Sequence, residues 1–287
     1  MARRSPSTAA SPPPTSSRTS DALAGFDHAR FAEALGRLVE AEGAARIEPL
    51  VAALRVGAAF HHWLAAVFRA EQPPLLLGDS MQEPEPSYDA GPYLLDPFYH
   101  RYLAGAFGWS TLSEIAPADF GRSDYVATYY NKLGIAHEIG FIAALGDSRA
   151  FHLSLTRGRG EPPFARRERD WLESMSPLLR SVGRGLAPQA GADPAARSLH
   201  ASLSGAFARF GTSVLTEREV EVVRLLLQGH LAKSIARELG ISPGTARNHL
   251  KRIYPKLGVA SHAELYALFL KALRVTEGEG DPLERMR

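Results

Sequence analysis

The residues of this chain best suited to chemistry lie on two faces of one C-terminal segment, between positions 243 and 257. The apolar face recurs at intervals of four, three and four residues and comprises Ala246, Leu250, Ile253 and Leu257. This spacing is typical of a helix with one buried side. Arg and Lys donate hydrogen bonds to guanine edges in the major groove of DNA, and Asn pairs with adenine. These residue types occupy the opposite face, which comprises Arg247, Asn248, Lys251 and Arg252.

Two helices are needed before this segment to position it. Thr216 and Glu219 have the spacing of a capping box, in which each side chain bonds the other residue's backbone N–H. A second helix is predicted over 231–239 and ends at Gly240. Ser242 then caps the third helix after a very short turn. Two helices joined by a short glycine-containing turn form a helix-turn-helix, which is the arrangement expected here.

The distribution of charge favours a polyanionic partner for this C-terminal part. Residues 212–274 contain ten Lys and Arg against five Asp and Glu, whereas residues 23–190 contain sixteen against twenty. A small basic module joined to a mildly acidic body is typical of a chain that meets a polyanion at one end. The alternative is a solvated, charged helix on some other helical bundle.

The C-terminal segment resembles the LuxR/GerE/NarL-type helix-turn-helix over nearly its whole length. The matching residues include Leu215, Thr216, Arg218, Glu219, Gly229, Lys233, Ile235, Ala236, Leu239–Ser242, Thr245, His249 and Lys256–Val259. The resemblance implies an all-α, four-helix DNA-binding domain over 213–275, whose third helix enters the major groove. It also implies a homodimer on inverted half-sites of double-stranded DNA. By the same resemblance Arg247, Asn248 and Lys251 read bases, while Lys233 and Thr245 hold phosphates.

Four positions depart from the pattern of that family. Ala232 and Ser234 stand where the second helix often has Asn and Glu, and Ala246 replaces the usual Val. Pro255 lies in the last turn of the third helix, where it removes one backbone donor. These departures bear on DNA affinity and on the length of the helix more than on the fold.

The preceding part, 23–186, is predicted to be an α+β domain in which helices flank an antiparallel sheet. Its order of elements resembles the GAF/PAS-like sensor domains found in regulators of this type. A receiver-type alternation of strands and helices is not expected, and no GxxxxGK[ST] phosphate loop occurs. The predicted helices cover 26–42, 46–55, 96–107, 122–133 and 164–182, and the predicted strands cover 60–69, 74–78, 138–145 and 149–157.

The remaining segments are predicted to be linkers and tails. Residues 1–22 are rich in Ser, Thr, Pro and Ala and are expected to be disordered, as is the tail 276–287. Residues 187–212 are predicted to be a linker containing a connecting helix. The chain has no cysteine and no apolar run long enough to span a bilayer, so we expect a cytoplasmic protein without a membrane partner.

A second candidate site lies among aromatic residues of the N-terminal domain. The stretch 91–99 resembles the region around the Asp of acyl-homoserine-lactone receptors, although the Trp and Tyr expected before it are poorly matched. Aromatic rings with polar tips suit small-molecule pockets. The residues predicted to line a pocket for a small ligand of unidentified structure are Tyr93, Asp96, Tyr99, Trp109 and Tyr129, with Tyr125 and Tyr130 beside them. Ordinary packing, with Asp96 as a helix cap, is the alternative. His137 and Glu138 are predicted to be a surface pair, with a polar pair in the pocket as the alternative.

An enzyme is the rival class of protein. Residues 75–80 resemble the strand and turn of GDSL-type esterases, in which Ser80 would be the nucleophile. A serine triad also needs a histidine held by an acid, and the late Asp-x-x-His spacing is missing. The chain is therefore predicted to be a regulator, rather than a hydrolase, whose N-terminal domain senses a small ligand or a partner and which needs neither cofactor nor metal. A regulator that needs no ligand, and a structural protein whose helix-turn-helix mediates only association, remain as alternatives.

Overall fold

The computed structural model describes residues 26–80, 87–118, 120–123, 125–186, 194–273 and 280–286. The segment predicted to be disordered, 1–22, lies outside the described residues, as do residues 187–193 of the predicted linker. Within the described ranges no helix combines the length and the hydropathy needed to cross a bilayer.

An antiparallel sheet of five strands organises the N-terminal part, in the spatial order β2-β1-β5-β4-β3. The four predicted strands are present with slightly different ends, and a short edge strand, β3, joins them. Four residues are too few to show a clear alternation of apolar and polar positions, so β3 was missed. The strands are β1 (His62–Arg69), β2 (Gln72–Asp79), β3 (Gly108–Thr111), β4 (Ile135–Gly146) and β5 (Arg149–Gly158).

One face of the sheet, the back face, is covered by helices from both ends of the N-terminal part. Side chains such as Trp63, Phe141 and Leu153 pack there in one core cluster. Alternate residues of the same strands, such as Leu64 and Phe68, enter a second cluster on the front face. The helices of the back face are α1 (His28–Glu40), α2 (Ile47–Leu54), α5 (Arg166–Ser174) and α6 (Ser176–Leu186).

Three predicted helices of this part need correction. The helix predicted over 164–182 is divided into α5 and α6 at Met175, because Pro177 has no backbone N–H to continue it. The helix predicted over 96–107 is shorter, α3 (Pro97–Leu103), and precedes Gly105, whose φ is +69°. A four-residue helix, α4 (Leu112–Ile115), then follows β3.

The third correction concerns the helix predicted over 122–133. The chain forms a 3-10 turn at Phe120–Arg122 and a π-helical turn at Val126–Tyr130. Asn131 N donates to Val126 O at 2.8 Å, which is the i→i+5 bond of a π-helix. The wider turn brings positions four and five residues apart to one side, so Tyr125, Tyr129 and Tyr130 all reach the front-face core.

The C-terminal part is helical, and its four predicted helices are present. A preceding helix, α7, contains Leu199, Leu203 and Phe207 of the predicted connecting helix. The prediction of a disordered tail was wrong for 281–286, because Asp281 accepts hydrogen bonds from the backbone N–H groups of Gly211 (3.1 Å) and Ser213 (2.9 Å). The helices are α7 (Pro194–Arg209), α8 (Glu217–Leu227), α9 (Ala232–Glu238), α10 (Pro243–Leu257) and α11 (His262–Leu273), followed by a 3-10 turn, Pro282–Met286.

Candidate nucleic-acid interface and buried chamber

The third helix of the C-terminal part, α10, has the start that its sequence predicts. Ser242 caps it by accepting a hydrogen bond from Thr245 N at 3.0 Å, and Pro243 occupies its first turn. Gly240, in the turn before it, has a φ of +64°, a conformation that glycine adopts without strain. Ala246 and Ile253 are fully buried and fix the rotation of the helix.

The rotation set by those two residues leaves the predicted DNA-reading side chains in solvent. Arg247, Asn248, Lys251 and Arg252 are all exposed. Lys233, on the first turn of α9, is exposed as well. Within the described part of the chain, none of these basic side chains takes part in an ion pair. The exposed face of α10 therefore carries three uncompensated positive charges, and α9 carries a fourth at Lys233.

Thr245 and Pro255, two positions singled out in the sequence, contribute to the structure of α10 itself rather than to its exposed basic face. Thr245 is exposed, but its hydroxyl lies 2.8 Å from Ser242 Oγ and is engaged in the cap. Pro255 lies inside α10, and the helix nevertheless continues to Leu257. Pro255 therefore does not shorten the helix, because a single missing donor one turn from the end leaves the other bonds intact.

A capping box and an ion pair join the two ends of the helix-turn-helix. Glu219 Oε2 accepts from Thr216 N at 2.9 Å, as predicted, and from Lys256 Nζ at 2.6 Å. Burial alone would raise the pKa of Glu219, but the hydrogen bonds from Lys256 and Thr216 outweigh it and hold the pKa below its ordinary value. The ion pair connects the start of α8 to the end of α10 and so helps to fix the recognition helix.

A small chamber lies on the front face of the sheet, beneath the aromatic residues of the N-terminal domain. Its volume is about 30 Å³, room for roughly two water molecules. Its walls come from strands β1, β4 and β5, from the 3-10 turn Tyr88–Ala90 and from the π-helical turn. The lining residues are Leu64, Tyr88, Asp96, Tyr125, Tyr129, Tyr130, Ile135, Glu138, His152, Ser154 and Thr156.

Asp96 contributes one buried carboxyl group to this chamber and also caps α3. Its Oδ1 accepts from Phe98 N at 2.8 Å, and its Oδ2 accepts from the hydroxyl of Tyr88. Burial raises the pKa of Asp96 to about 6 in spite of these two donors, which lower it. In the sequence, capping the helix and lining a pocket were alternative roles for Asp96. The structure shows that its side chain does both.

Glu138 contributes a second carboxyl group, as the pocket alternative indicated for it, and the preferred prediction of a surface pair with His137 was wrong for Glu138. Neighbouring residues of a strand point to opposite faces, so Glu138 turns into the chamber while His137 bonds the carbonyl of Glu161 at 3.1 Å. Glu138 accepts from the hydroxyls of Tyr130 (2.5 Å) and Ser154. Burial, and then the nearby charge of Asp96, raise the pKa of Glu138 to about 7.

Of the five residues predicted to line a pocket, Asp96 and Tyr129 line this chamber, and the other three are not among its lining residues. Tyr93 and Tyr99 are buried beside the chamber, where their hydroxyls bond His200 Nδ1 (2.8 Å) and the carbonyl of Arg69 (3.3 Å). Trp109 packs on Phe141 on the back face, with ring centroids 5.1 Å apart. Trp109 lies on β3, the edge strand that was missed from the sequence. The face of the sheet on which its side chain lies was therefore not predictable.

The residues of the rival hydrolase do not assemble. The hydroxyl of Ser80 accepts from Trp63 N at 2.9 Å, which ties it to strand β1. His62 contacts the carbonyl of Ser80, at 3.3 Å, and not its hydroxyl. A nucleophile and its base must share a hydrogen bond, and this pair does not.

A capped pair of helices that presents an exposed basic third helix defines a helix-turn-helix transcription regulator. A family model described as "Bacterial regulatory proteins, luxR family" matches residues 213–269. The HTH-type transcriptional regulator in the exeN 3' region of Aeromonas salmonicida is 36% identical over 196 residues, covering 65% of this chain and 98% of that protein. The chain belongs to the luxR family of bacterial regulatory proteins, and is a regulator rather than an enzyme.

Two further proteins resemble parts of the chain. The transcriptional activator protein ExaE of Pseudomonas putida is 45% identical over 58 residues, which is 20% of this chain and 27% of that protein. The crystal structure of the VqsR LBD domain from Pseudomonas aeruginosa is similar to 55% of this chain and 95% of that one, with 27% identity and a TM-score of 0.48.

Proposed function

We propose that this regulator binds double-stranded DNA as a homodimer and that its N-terminal domain, a GAF/PAS-like sensor, controls binding in response to a small molecule. The DNA-binding part of this proposal rests on one observation, the exposed face of α10. Buried Ala246 and Ile253 turn Arg247, Asn248 and Lys251 outward together, and no acidic side chain of the described residues pairs with the basic ones. Such a face suits the major groove.

Roles for the individual residues follow from their positions. Arg247, Asn248 and Lys251 lie within the first nine residues of α10 and are assigned to base edges, with Arg252 beside them. Lys233 and the capped first turn at Thr245 are assigned to phosphates, because backbone N–H groups at a helix start attract anions. The dimer is proposed from the symmetry of regulators that recognise inverted half-sites.

The chamber on the front face supports the sensor part of the proposal. It is walled by Asp96, Tyr129 and other aromatic residues, and Tyr125 at its edge also contacts the helix-turn-helix through Tyr266. A molecule that orders or displaces Tyr125 therefore changes a contact of the DNA-binding helices. Tyr93 and Tyr99 are buried in the same core cluster as the residues that line the chamber and pack behind them.

Selection from random duplex DNA by the purified full-length chain at physiological salt tests the function. We expect enrichment of an inverted repeat with half-sites about one helical turn apart. Binding should also weaken steeply as salt rises, because phosphate contacts release counterions.

The matched control is Arg184→Ala, which removes an exposed arginine of α6, a helix on the back face of the sheet. It should leave the selected sequence unchanged, whereas Arg247→Ala with Lys251→Ala should abolish the enrichment. Binding to DNA that is insensitive to salt and to the double substitution would contradict the proposal and favour apolar association.

A further inference from the structure

We propose that the buried chamber binds a small primary ammonium ion, held between the carboxyl groups of Asp96 and Glu138 and the hydroxyl of Thr156. The inference rests on the proposed function, because it names the chemical class of the molecule that the sensor domain takes. Three observations carry it: two buried carboxyl groups without a cation, an unpartnered hydroxyl beside them, and a cavity of matching size.

Among the residues that the structure describes, the two carboxyl groups have no positively charged partner. Asp96 is 5% exposed and Glu138 is 9% exposed, and every described hydrogen-bond donor to them is a tyrosine, a serine or a backbone N–H. The described residues that line the chamber include no lysine and no arginine. Buried carboxylates are normally paired with a cation. A cationic guest supplies the missing partner.

The remaining titratable groups that face these carboxyls are neutral at physiological pH. Burial lowers the pKa of His152 to about 3. Burial raises the pKa of each of Tyr88, Tyr125 and Tyr130 well above its ordinary value, and the charges of the neighbouring carboxyls add to the shift. When both carboxyls ionise, the lining therefore carries two negative charges and no positive one.

Thr156 supplies the second, independent observation. It is 1% exposed, it lines the chamber, and its hydroxyl has no hydrogen-bond partner in the structure. It also lies directly opposite Glu138 in the register of β4 and β5. An unpaired buried hydroxyl is costly, so a guest that accepts or donates a hydrogen bond here is favoured.

A neighbouring histidine adds an acceptor rather than a donor. His152 Nδ1 lies 3.2 Å from the carbonyl of Phe141, which can only accept, so Nδ1 carries the proton. Because the ring is neutral, Nε2 retains its lone pair. Ser154 donates its proton to Glu138 and keeps lone pairs as well. The chamber is thus rich in acceptors, and a primary ammonium group has three N–H donors to satisfy them.

The size of the chamber and the nature of its walls restrict the guest further. A volume of about 30 Å³ admits a head group of a few heavy atoms. Tyr88, Tyr125, Tyr129 and Tyr130 supply aromatic rings, which attract cations. A larger crevice of about 440 Å³ shares Tyr130, Ile135 and Glu138 with the chamber and therefore adjoins it.

Calorimetric titration of the full-length chain with methylammonium chloride tests the proposal. We expect saturable binding, a rise in Tm, and affinity that increases from pH 5.5 to pH 8 as the two carboxyls ionise. Ethylammonium and propylammonium should bind as well. Potassium chloride at equal ionic strength, ethanol and tetramethylammonium, which has no N–H donor, should not.

Two substitutions locate the site. Glu138→Gln should lower the affinity at least about 10-fold, the loss expected for one charge-assisted hydrogen bond. Thr156→Val should lower it about 5-fold without lowering the Tm of the unligated protein, because the hydroxyl has no partner to lose. Glu33→Gln, at an exposed position of α1, is the control and should change neither.

Three results would overturn the inference: no methylammonium binding, equal binding of potassium, or unchanged affinity in both chamber variants. The same protein batch is assayed on its selected DNA. A batch that binds DNA but not methylammonium refutes this inference alone. A batch that binds methylammonium but no DNA supports the inference and contradicts the proposed DNA-binding function.

Discussion

The ring of Tyr125 lies against the ring of Tyr266, with centroids 6.4 Å apart and planes inclined at 68°. Tyr125 is a wall of the buried chamber, and Tyr266 is a buried residue of α11 in the helix-turn-helix part. Near the same junction Phe120 packs under Gly229, which follows α8. The chamber and the helices of the helix-turn-helix part are therefore separated by a single side chain.

The contact at Gly229 should be essential to this docking. Gly229 has a φ of +90°, and a Cβ atom there would lie 2.6 Å from Phe120 Cδ2. We predict that Gly229→Ala lowers the free energy of unfolding of the full chain by about 3 kcal/mol, from backbone strain and overpacking together. Denaturant unfolding measures this.

The control for that substitution is Gly240→Ala. Gly240 also has a positive φ, +64°, but a Cβ atom there meets nothing within 4 Å. This variant should show the backbone cost alone, about 1 kcal/mol. Equal losses in the two variants would show that packing on Phe120 contributes nothing.

Glu219→Gln should destabilise the helix-turn-helix in a pH-dependent way. Its pKa in the folded chain is held below the ordinary value of 4.5 because the hydrogen bonds from Lys256 and Thr216 outweigh burial, which raises it. A lowered pKa stabilises the fold above pH 4.5, and that contribution is lost as the pH falls through the lowered value. We expect a loss of about 1 kcal/mol at pH 7, shrinking toward pH 3, in thermal unfolding at several pH values.

Glu114, a capping residue outside the helix-turn-helix, serves as the control for Glu219→Gln. It distinguishes the loss of the Glu219 carboxylate from a general effect of low pH on the fold. Glu114 caps α4 by accepting from Thr111 N at 2.8 Å, but it is exposed. Glu114→Gln should have a smaller effect than Glu219→Gln at pH 7. A Glu219→Gln deficit that persists unchanged at pH 3 would show that its carboxylate charge is not responsible.

Glu138→Gln should have the opposite dependence on pH when the chamber is empty. Burial, with the charge of Asp96, raises the pKa of Glu138 to about 7 in the folded chain, against an ordinary 4.5. A raised pKa of an acid destabilises the fold progressively as the pH rises through that window. The Tm of Glu138→Gln relative to wild type should therefore increase from pH 4.5 to pH 7.5. A constant difference in Tm across that range would contradict the raised pKa.

Arg247→Ala should relax DNA specificity at one base pair. A bidentate contact of arginine with guanine discriminates against other bases by about 1–3 kcal/mol. We expect the selected site to lose its preference at one position of each half-site, measured by competition with single-base variants. Lys233→Ala serves as the comparison and should weaken binding to every sequence alike. A uniform loss in Arg247→Ala would instead assign that side chain to a phosphate.

The helix-turn-helix was determined almost entirely by local sequence. The Thr216–Glu219 capping box, the turn at Gly240 and the cap at Ser242 depend on neighbours within a few residues, and all three are present as predicted. The outward face of α10 followed from helical spacing for the same reason. The sequence also indicated the sheet through its long strands, although it missed β3 and the division of the helix at Met175.

The chamber was decided by tertiary structure. Tyr88 and Asp96 come from the segment before α3, Glu138 from β4 and Thr156 from β5, and only the strand register brings these last two opposite each other. Which side of the sheet Glu138 or Trp109 faces depends on where each strand begins, and a shift of one residue would reverse both. Local spacing specifies helices and their caps, whereas side chains from distant segments meet only when the packed sheet sets their register.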